Sequence, residues 1–226
     1  MARIIQIETS TALCSAALSE DGKTVRYVES SEPRAHASMA APFVKEVLGD
    51  LRVSDCDAVC VSSGPGSYTG LRVGVSTAKG LCFGAGIPLI AVGTLDALVS
   101  QALSEGLVPE GCRYIVPMLD ARRMEVYSAV YTAEGKMLRE VRPEVITPES
   151  FAAETTEGAV LFIGDAAEKC RPLIPGGTFV QCCPKASSLS APAFAAYKEK
   201  RFEDTAYFEP FYLKEFTATV SRKNLF

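Results

Sequence analysis

The sequence is poor in histidine and lacks tryptophan altogether: His36 is the one histidine among its 226 residues. A peptidase that holds zinc through two histidines, or a hydrolase with a Ser-His-Asp triad, needs more than this single side chain supplies. His36 is better explained as a residue at a helix start than as a catalyst. The chain also has no Gly-x4-Gly-Lys-Ser/Thr stretch, which excludes a Walker phosphate loop.

Long apolar runs and long basic runs are missing as well. We expect no membrane span, because no stretch of about 18 residues is continuously apolar. The N-terminus enters a strand at Arg3 without resembling a signal peptide, so we expect a cytoplasmic protein. The net charge is −4, and basic residues cluster only in the pairs Arg122-Arg123 and Arg222-Lys223. Another subunit would therefore supply most of any contact with RNA phosphates.

Eight cysteines are present, yet their contexts argue against disulfides and metal binding. Cys14, Cys60 and Cys82 lie in apolar patterns, where a free cysteine behaves as a small hydrophobic residue. Cys56 and Cys60 have no second pair at zinc spacing, and the adjacent Cys182-Cys183 is poor geometry for one tetrahedral site. We interpret the cysteines as reduced structural thiols and predict no metal site.

The most informative stretch runs from Ser62 to Gly74 and reads SSGPGSYTGLRVG. A short buried strand, 58–61, leads into glycines that flank a proline, and Ser67 and Thr69 supply side-chain oxygens before a helix that opens near Gly70. Such a junction can hold a phosphate or a carboxylate at the helix start. It can equally be a tight, well-capped turn, and the spacing alone leaves both interpretations open.

Two predicted helices, 37–51 and 71–84, carry few polar residues. The apolar stripe of a surface helix is usually only slightly wider than 100°, so both helices need burial on a second side. One interpretation is a three-layer core; the other is a subunit interface in which glycines of the second helix permit close approach. The interface residues would be Met39, Phe43, Val47, Leu71, Val75, Ala78 and Cys82. A charge at Phe43 or Val75 is then expected to abolish association.

The order of elements predicts an α/β protein with two lobes, 1–104 and 105–226. In the first lobe we predict strands at 3–8, 14–19, 24–29, 58–63 and 88–92, and helices at 37–51, 71–84 and 94–105, the last capped by Thr94. The second lobe reads as a reduced copy, with strands at 114–120, 125–131, 136–141 and 160–163 and helices from 148, from 165 and within 191–201. The order resembles a lobe of the acetate-kinase, sugar-kinase and actin superfamily, whose fold duplicates such a lobe.

Motifs along the whole chain resemble the TsaB (YeaZ) family. They are Gly64–Gly74 with Thr77–Leu81, Ile7–Ser10 with Cys14–Leu18, Asp120–Arg123 with Glu125–Tyr127, and Pro210–Lys214. Any one of them is weak, but their common order makes the resemblance strong. It implies the actin and sugar-kinase-like fold, and dimerisation through a pair of helices, with a second copy or with the related TsaD subunit.

The resemblance also implies a role without catalysis. The chain would bind and activate a TsaD-type subunit, which transfers a threonylcarbamoyl group to the adenosine beside the anticodon of tRNAs that read codons beginning with A. A TsaE-type ATPase would reset the complex. The chain itself would need no cofactor, although the complex uses ATP, and it would contact tRNA only through its partners.

The expected site residues follow from the same comparison. Thr94 and Leu98 stand where TsaD carries its two metal-binding histidines, so the metal centre is lost. ATP-using superfamily members place an aspartate at the end of the first strand, where this chain has Glu8. A weak nucleotide site would consist of Glu8, Ser10, Gly64, Gly66 and Ser67. Asp120, Arg122 and Arg123 form another polar cluster, which would bind a phosphate, bridge the lobes or merely close a hairpin.

Two alternatives belong to other functional classes. A kinase-like ATPase is permitted by Glu8 and the junction at 64–70, and is disfavoured by the small second lobe. A peptidase is disfavoured by the single histidine.

Overall fold

Two mixed sheets of five strands form the framework of the computed structural model, which describes residues 1–32 and 36–213. The first sheet, in the order β3-β2-β1-β4-β5, contains β1 (Arg3–Glu8), β2 (Cys14–Glu20), β3 (Lys23–Ser30), β4 (Ala58–Ser62) and β5 (Leu89–Val92). The second, in the order β10-β9-β6-β7-β8, contains β6 (Cys112–Asp120), β7 (Glu125–Thr132), β8 (Met137–Val145), β9 (Ala159–Gly164) and β10 (Thr178–Gln181). Because the two orders match strand for strand, the predicted duplication of an α/β lobe is confirmed.

The helices are longer in the first lobe than in the second. The first lobe carries α1 (His36–Leu48), α2 (Tyr68–Ala85) and α3 (Thr94–Ser104). The shorter α4 (Ala152–Glu157) and α5 (Ala167–Cys170) follow strands of the second sheet, and α6 (Ser190–Lys198) comes last. The second lobe is therefore the reduced copy that the sequence predicts.

Several boundaries differ from the prediction. Helix α2 begins at Tyr68, two residues before Gly70, and Ser67 is its N-cap because the Ser67 Oγ accepts a bond from the Gly70 amide at 3.3 Å. Thr94 is the first helical residue of α3 rather than its cap, since Gly93 holds the extended N-cap conformation. Strand β10 was not predicted at all.

The last part of the described chain returns to the first lobe. Leu189, Ala193 and Ala196 at α6 share a core cluster with Ile4 and Ile90 of the first sheet. Residues 203–213, which we call the strap, then cross the same lobe. Thus the division at residue 104 separates the two sheets, whereas helix α6, which we expected in the second lobe, packs against the first.

The strap is fixed to the first lobe by backbone contacts. The Glu203 amide donates to the Leu89 carbonyl at 2.9 Å. Lys79 of α2 donates to the carbonyls of Ala206 and Phe208 at 3.0 and 3.1 Å. The Phe208 side chain packs against the core beneath α2, so the strap covers one side of this helix.

Helix α3 joins the lobes. Its residues Leu98 and Ala102 pack in one cluster with Ile115 and Leu161 of the second sheet. At its first turn, Asp96 accepts a hydrogen bond from the Tyr131 hydroxyl of β7 at 2.7 Å. Among the described residues, no helix is both long enough and apolar enough to cross a membrane.

Candidate functional site

A cleft of about 860 Å³ lies between the two lobes. The first lobe contributes the loop after β1, the start of α2 and the end of the strap, and the second lobe contributes the β6–β7 hairpin. Its lining residues include His36, Tyr68, Arg122, Tyr127, Asp165 and Phe211. Ligand pockets in proteins commonly have volumes of about 300 to 1,000 Å³, so the cleft is large enough for a small molecule.

Glu8 lies beneath the cleft rather than in it. Its side chain is fully buried, and its Oε1 accepts a hydrogen bond from the Ser10 amide at 2.6 Å. Burial raises the pKa of the carboxyl group to about 7, against the opposing effect of the Ser10 and Ser62 hydroxyls. Cations such as Mg²⁺ need accessible carboxylate oxygens. Glu8 therefore does not fit the cation-binding role that the aspartate has in ATP-using proteins of this fold.

The glycines of the central motif are explained by close backbone contacts. A Cβ atom on Gly66 would lie 2.4 Å from the Ser10 carbonyl oxygen, and one on Gly70 would lie 2.0 Å from that of Thr9. The Ser67 amide, moreover, donates to the Ser10 carbonyl at 2.6 Å. These contacts hold the loop after β1 against the start of α2. They explain why glycine is required at these positions, and no bound phosphate is needed to explain it.

The other residues expected in the nucleotide site are divided between cleft and interior. Ser10, Gly66 and Ser67 line the cleft, whereas Gly64 is enclosed by the strap: a Cβ there would lie 2.6 Å from the Phe211 carbonyl oxygen. The structure thus brings these four residues together around the helix start and leaves Glu8 below them.

The β6–β7 hairpin is held by an extensive hydrogen-bond network. The Asp120 carboxylate bonds to the Arg122 amide at 2.8 Å and forms an ion pair with Lys169. Lys169 also donates to the carbonyls of Arg123 and Glu125, both at 2.9 Å. Arg122 and Arg123 both have positive φ angles, +73° and +51°. Neither guanidinium has a hydrogen bond or ion pair within the part of the chain that the structure describes.

Further polar and aromatic groups of the cleft were not among the predicted site residues, although Tyr68 and Tyr212 lie within the family motifs. Asp165 accepts a bond from the Asp120 amide at 2.8 Å, and burial raises the pKa of its carboxyl group to about 6. The rings of Tyr68 and Tyr212 are 4.9 Å apart, and the Arg72 guanidinium lies 4.3 Å from the centre of the Tyr68 ring. The Arg72–Tyr68 contact is local to α2, whereas the Asp120–Asp165 and Tyr68–Tyr212 contacts join residues distant in sequence, which no local pattern identifies.

The residues predicted for partner binding lie almost entirely in the core of the chain itself. Met39 is half-buried, whereas the others have at most 4% of their surface exposed. These buried residues are Phe43, Val47, Leu71, Val75, Ala78 and Cys82. They face the first sheet, because the widest apolar arc of each helix is also the one that packs inward. A charge at Phe43 or Val75 would thus enter the core and unfold the lobe, so association would not be tested separately.

The opposite side of α2 carries small and open positions around one large aromatic residue. We call it the outer face; its exposed residues are Arg72, Ser76, Gly80, Phe83 and Gly84. Phe83 is 88% exposed. Beside it lies a groove of about 320 Å³ lined by Gly80, Gly84, Arg52 and Val53 among others. A Cβ atom on either glycine would meet nothing within 4 Å, so a partner can approach the helix backbone closely.

The remaining predictions concern metal and sulfur. Thr94 and Leu98 are completely buried, and the described residues contain no group of three or more metal-ligating side chains placed around a common point. All eight cysteines are free, and burial raises the pKa of the Cys14 and Cys82 thiols to about 11. Lys214 and the Arg222-Lys223 pair lie outside the described residues.

Comparisons with known proteins agree with the motifs. A family model for TsaD, a tRNA N6-adenosine threonylcarbamoyltransferase, matches residues 29–218. The chain is 31% identical to the tRNA threonylcarbamoyladenosine biosynthesis protein TsaB of Bacillus subtilis over 93% of both chains. It is 35% identical to the protein of the same name from Escherichia coli, over 65% of this chain and 63% of that one.

Solved structures give the same result. YeaZ from Pseudomonas aeruginosa superposes with a TM-score of 0.77 at 26% identity, covering 94% of this chain and all of that one. An inorganic polyphosphate/ATP-glucomannokinase from Arthrobacter shares the fold alone, with a TM-score of 0.50 at 11% identity over 87% of this chain and all of that one. Motifs, duplicated lobes and relatives thus converge, and the chain belongs to the TsaB (YeaZ) family of tRNA threonylcarbamoyladenosine biosynthesis proteins.

Proposed function

We propose that this chain is a non-catalytic subunit that binds and activates a TsaD-type transferase. The reaction would form threonylcarbamoyladenosine beside the anticodon of tRNAs that read codons beginning with A. Membership of the TsaB (YeaZ) family supports a role in threonylcarbamoyladenosine biosynthesis. The observation that carries the activating role is the outer face of α2, where Phe83 is 88% exposed next to an open groove. A large apolar side chain this exposed is a typical anchor of a protein interface.

We propose the outer face of α2 as the partner surface, in place of the buried residues that the sequence analysis predicted for partner binding. Phe83 would insert between helices of the partner, while Gly80 and Gly84 would let a partner helix approach the α2 backbone. A stable pairing needs about 1,600 Å² of buried surface in total, more than α2 alone presents, so α1 would contribute its exposed residues Ala37 and Ala41. The same surface would form a homodimer when the catalytic partner is absent.

We further propose that the chain needs no cofactor of its own. The buried Glu8 carboxyl supports this proposal, because it cannot hold the cation of a nucleotide. The complex would consume ATP through its other subunits, including a TsaE-type ATPase, and tRNA would be held chiefly by the partners, as the net charge of −4 favours. Since tRNA modification needs access to tRNA, we propose a cytoplasmic location.

The experiment reconstitutes tRNA threonylcarbamoylation with a purified TsaD-type subunit and a TsaE-type ATPase, with and without this chain. We expect modification only when the chain is present, and none from the chain alone. Phe83→Asp should abolish both co-elution with the TsaD-type subunit and stimulation of the reaction, because a buried unpaired charge is costly at an interface.

Val145→Asp is the matched control, since Val145 is an exposed apolar residue of β8 in the other lobe. It should leave association and activity unchanged. If Phe83→Asp still binds and stimulates the partner, the outer face is not the interface. If modification proceeds equally well without the chain, the activating role is wrong.

A kinase-like ATPase is the second candidate, and the cleft between the lobes is the observation that favours it. ATP hydrolysis or phosphate transfer by the isolated chain in the presence of Mg²⁺ would support this alternative. The position of Glu8 argues against it, because catalysed phosphoryl transfer depends on a well-held metal ion.

A further inference from the structure

The strap presents a second strongly exposed aromatic residue, Tyr207, whose surface is 84% accessible. Among the large apolar and aromatic residues that the structure describes, only Phe83 is more exposed, at 88%. An aromatic ring left in water gains free energy when a partner covers it. Tyrosine is also enriched at the centres of protein interfaces, where its ring packs and its hydroxyl group forms a hydrogen bond.

The backbone around Tyr207 is fixed by hydrogen bonds. The Asp204 carboxylate accepts bonds from the amides of Ala206 and Tyr207 at 2.8 and 3.1 Å. The Phe208 amide donates to the Asp204 carbonyl at 2.8 Å, and the Phe208 side chain packs against the core. We call residues 204–208 the tyrosine turn. Because its backbone is already ordered, a partner that covers Tyr207 has little more than one side chain to immobilise.

Lys79 joins the tyrosine turn to the outer face of α2. Its ammonium group donates to the carbonyls of Ala206 and Phe208 at 3.0 and 3.1 Å, and these are the residues on either side of Tyr207. Phe83 follows Lys79 by four residues in α2, so it lies one turn along on the same side of the helix. The two most exposed aromatic residues of the described chain therefore belong to neighbouring parts of one surface.

The tyrosine turn supplies apolar area that the outer face lacks. An aromatic side chain buries about 150 to 250 Å² when it is covered, so Phe83 and Tyr207 together would bury about 300 to 500 Å². A stable complex buries about 800 Å² on each partner. Phe83 is the one large apolar side chain among the exposed residues of the outer face, and Tyr207 adds a second anchor of similar size.

The charge near Tyr207 indicates which kind of partner fits. Glu203 and Glu209 are exposed, and neither carboxylate has an ion pair within the part of the chain that the structure describes. Carboxylates repel the phosphates of a nucleic acid, so the Tyr207 ring is poorly placed to stack on a base. A protein pocket with basic side chains at its rim complements the turn in both shape and charge.

We infer that the tyrosine turn is a second anchor for the TsaD-type transferase, with Tyr207 in an apolar pocket of that partner and Glu209 facing basic side chains at the rim of the pocket. The inference rests on the proposed function, because it extends the partner surface from the outer face of α2 to the strap. It assigns an interface role to a segment that lies outside helices α1 and α2.

Calorimetric titration of a purified TsaD-type subunit into the full chain tests the inference. Tyr207→Ala should weaken binding by about tenfold or more, as expected for the loss of an aromatic anchor. Glu209→Lys should weaken it by about two- to fivefold at low salt, and by less at high salt. Leu138→Ala is the matched control, since Leu138 is 53% exposed in β8 of the second lobe, and it should bind like the unchanged chain. Thermal melting verifies that each variant is folded.

Phe83→Asp in the same titration separates the inference from the proposed function. Loss of binding in Phe83→Asp with unchanged binding in Tyr207→Ala would overturn the inference and leave the proposed function intact. Unchanged binding in both variants would overturn both. Equal binding by Glu209→Lys and the unchanged chain at low salt would overturn the basic rim.

Two further measurements identify other occupants of the tyrosine turn. If Tyr207→Ala weakens only the self-association of the chain in sedimentation, the turn is a contact between two copies. If it weakens only the binding of tRNA to the isolated chain, the turn is a contact with RNA. Either result would overturn the inference.

Discussion

Glu8→Gln tests whether burial of the Glu8 carboxyl is the reason that it does not fit a cation-binding role. The Glu8 carboxyl is fully buried, and burial raises its pKa in the folded protein to about 7, from 4.5. Between these values the folded protein keeps a proton that the unfolded chain has released. Stability must therefore fall as the pH rises from about 4.5 to about 7, and the whole penalty is present above pH 7.

The size of the effect follows from the two pKa values. At about 1.4 kcal/mol for each unit of pKa, raising it from 4.5 to about 7 corresponds to about 3 kcal/mol. Glutamine cannot titrate, and its Oε1 can keep the hydrogen bond from the Ser10 amide. Relative to the unchanged chain, Glu8→Gln should thus gain about 2 to 3 kcal/mol of stability between about pH 5 and about pH 8.5.

Urea denaturation at a series of pH values measures this difference, since other titrating groups contribute equally to both proteins and cancel. Glu110→Gln, a substitution at an exposed position, controls for the change in net charge and should show no such trend. A stability difference between Glu8→Gln and the unchanged chain that stays constant across the pH range would refute the reasoning. It would mean that the carboxylate is solvated, and that a cation could reach it after all.

Two further substitutions test the packing. Tyr131→Phe removes the hydroxyl that bonds to Asp96 at 2.7 Å. It should lower the free energy of unfolding by about 1 kcal/mol in urea denaturation, because it leaves an oxygen of the half-buried Asp96 carboxylate without this partner. An unchanged value would show that this contact between the lobes does not stabilise the fold. Gly70→Ala should destabilise the protein strongly, because the new Cβ would lie 2.0 Å from the Thr9 carbonyl oxygen. Gly80→Ala, whose Cβ would meet nothing within 4 Å, should be neutral or stabilise by up to about 1 kcal/mol. Equal melting temperatures for the two variants would contradict the close contact that we describe between α2 and the loop after β1.

The duplicated sheets could be predicted from sequence because hydrophobic alternation and turn residues repeat in the same order in both halves. Strand β10 escaped prediction, since Thr178–Gln181 is only four residues long and follows two glycines. The return of α6 to the first lobe also lies beyond local patterns. The apolar residues of α6 indicate that the helix packs against a sheet, but they do not indicate which of the two sheets it contacts.

The predicted partner residues proved to be buried for a related reason. Periodicity identifies the most apolar face of a helix, and in α2 that face, with Leu71 and Val75, packs inward on the first sheet. A three-layer core thus accounts for this apolar arc without a partner subunit. The outer face instead combines glycines with one exposed phenylalanine. Because most of its residues are not apolar, hydrophobic periodicity does not identify it.

The glycines of α2 consequently belong to two separate sets. Gly70 and Gly74 are four residues apart and face the loop after β1, where the Thr9 backbone and side chain leave no room for a Cβ. Gly80 and Gly84 repeat the same spacing ten residues later in the chain, which places them roughly 80° around the helix axis from the first pair, on a side where a Cβ would meet nothing within 4 Å. The first pair fixes the helix to the cleft and the second leaves its backbone accessible to a partner. One helix can therefore border the cleft and also present the proposed interface, because the two sets of glycines lie on different sides of it.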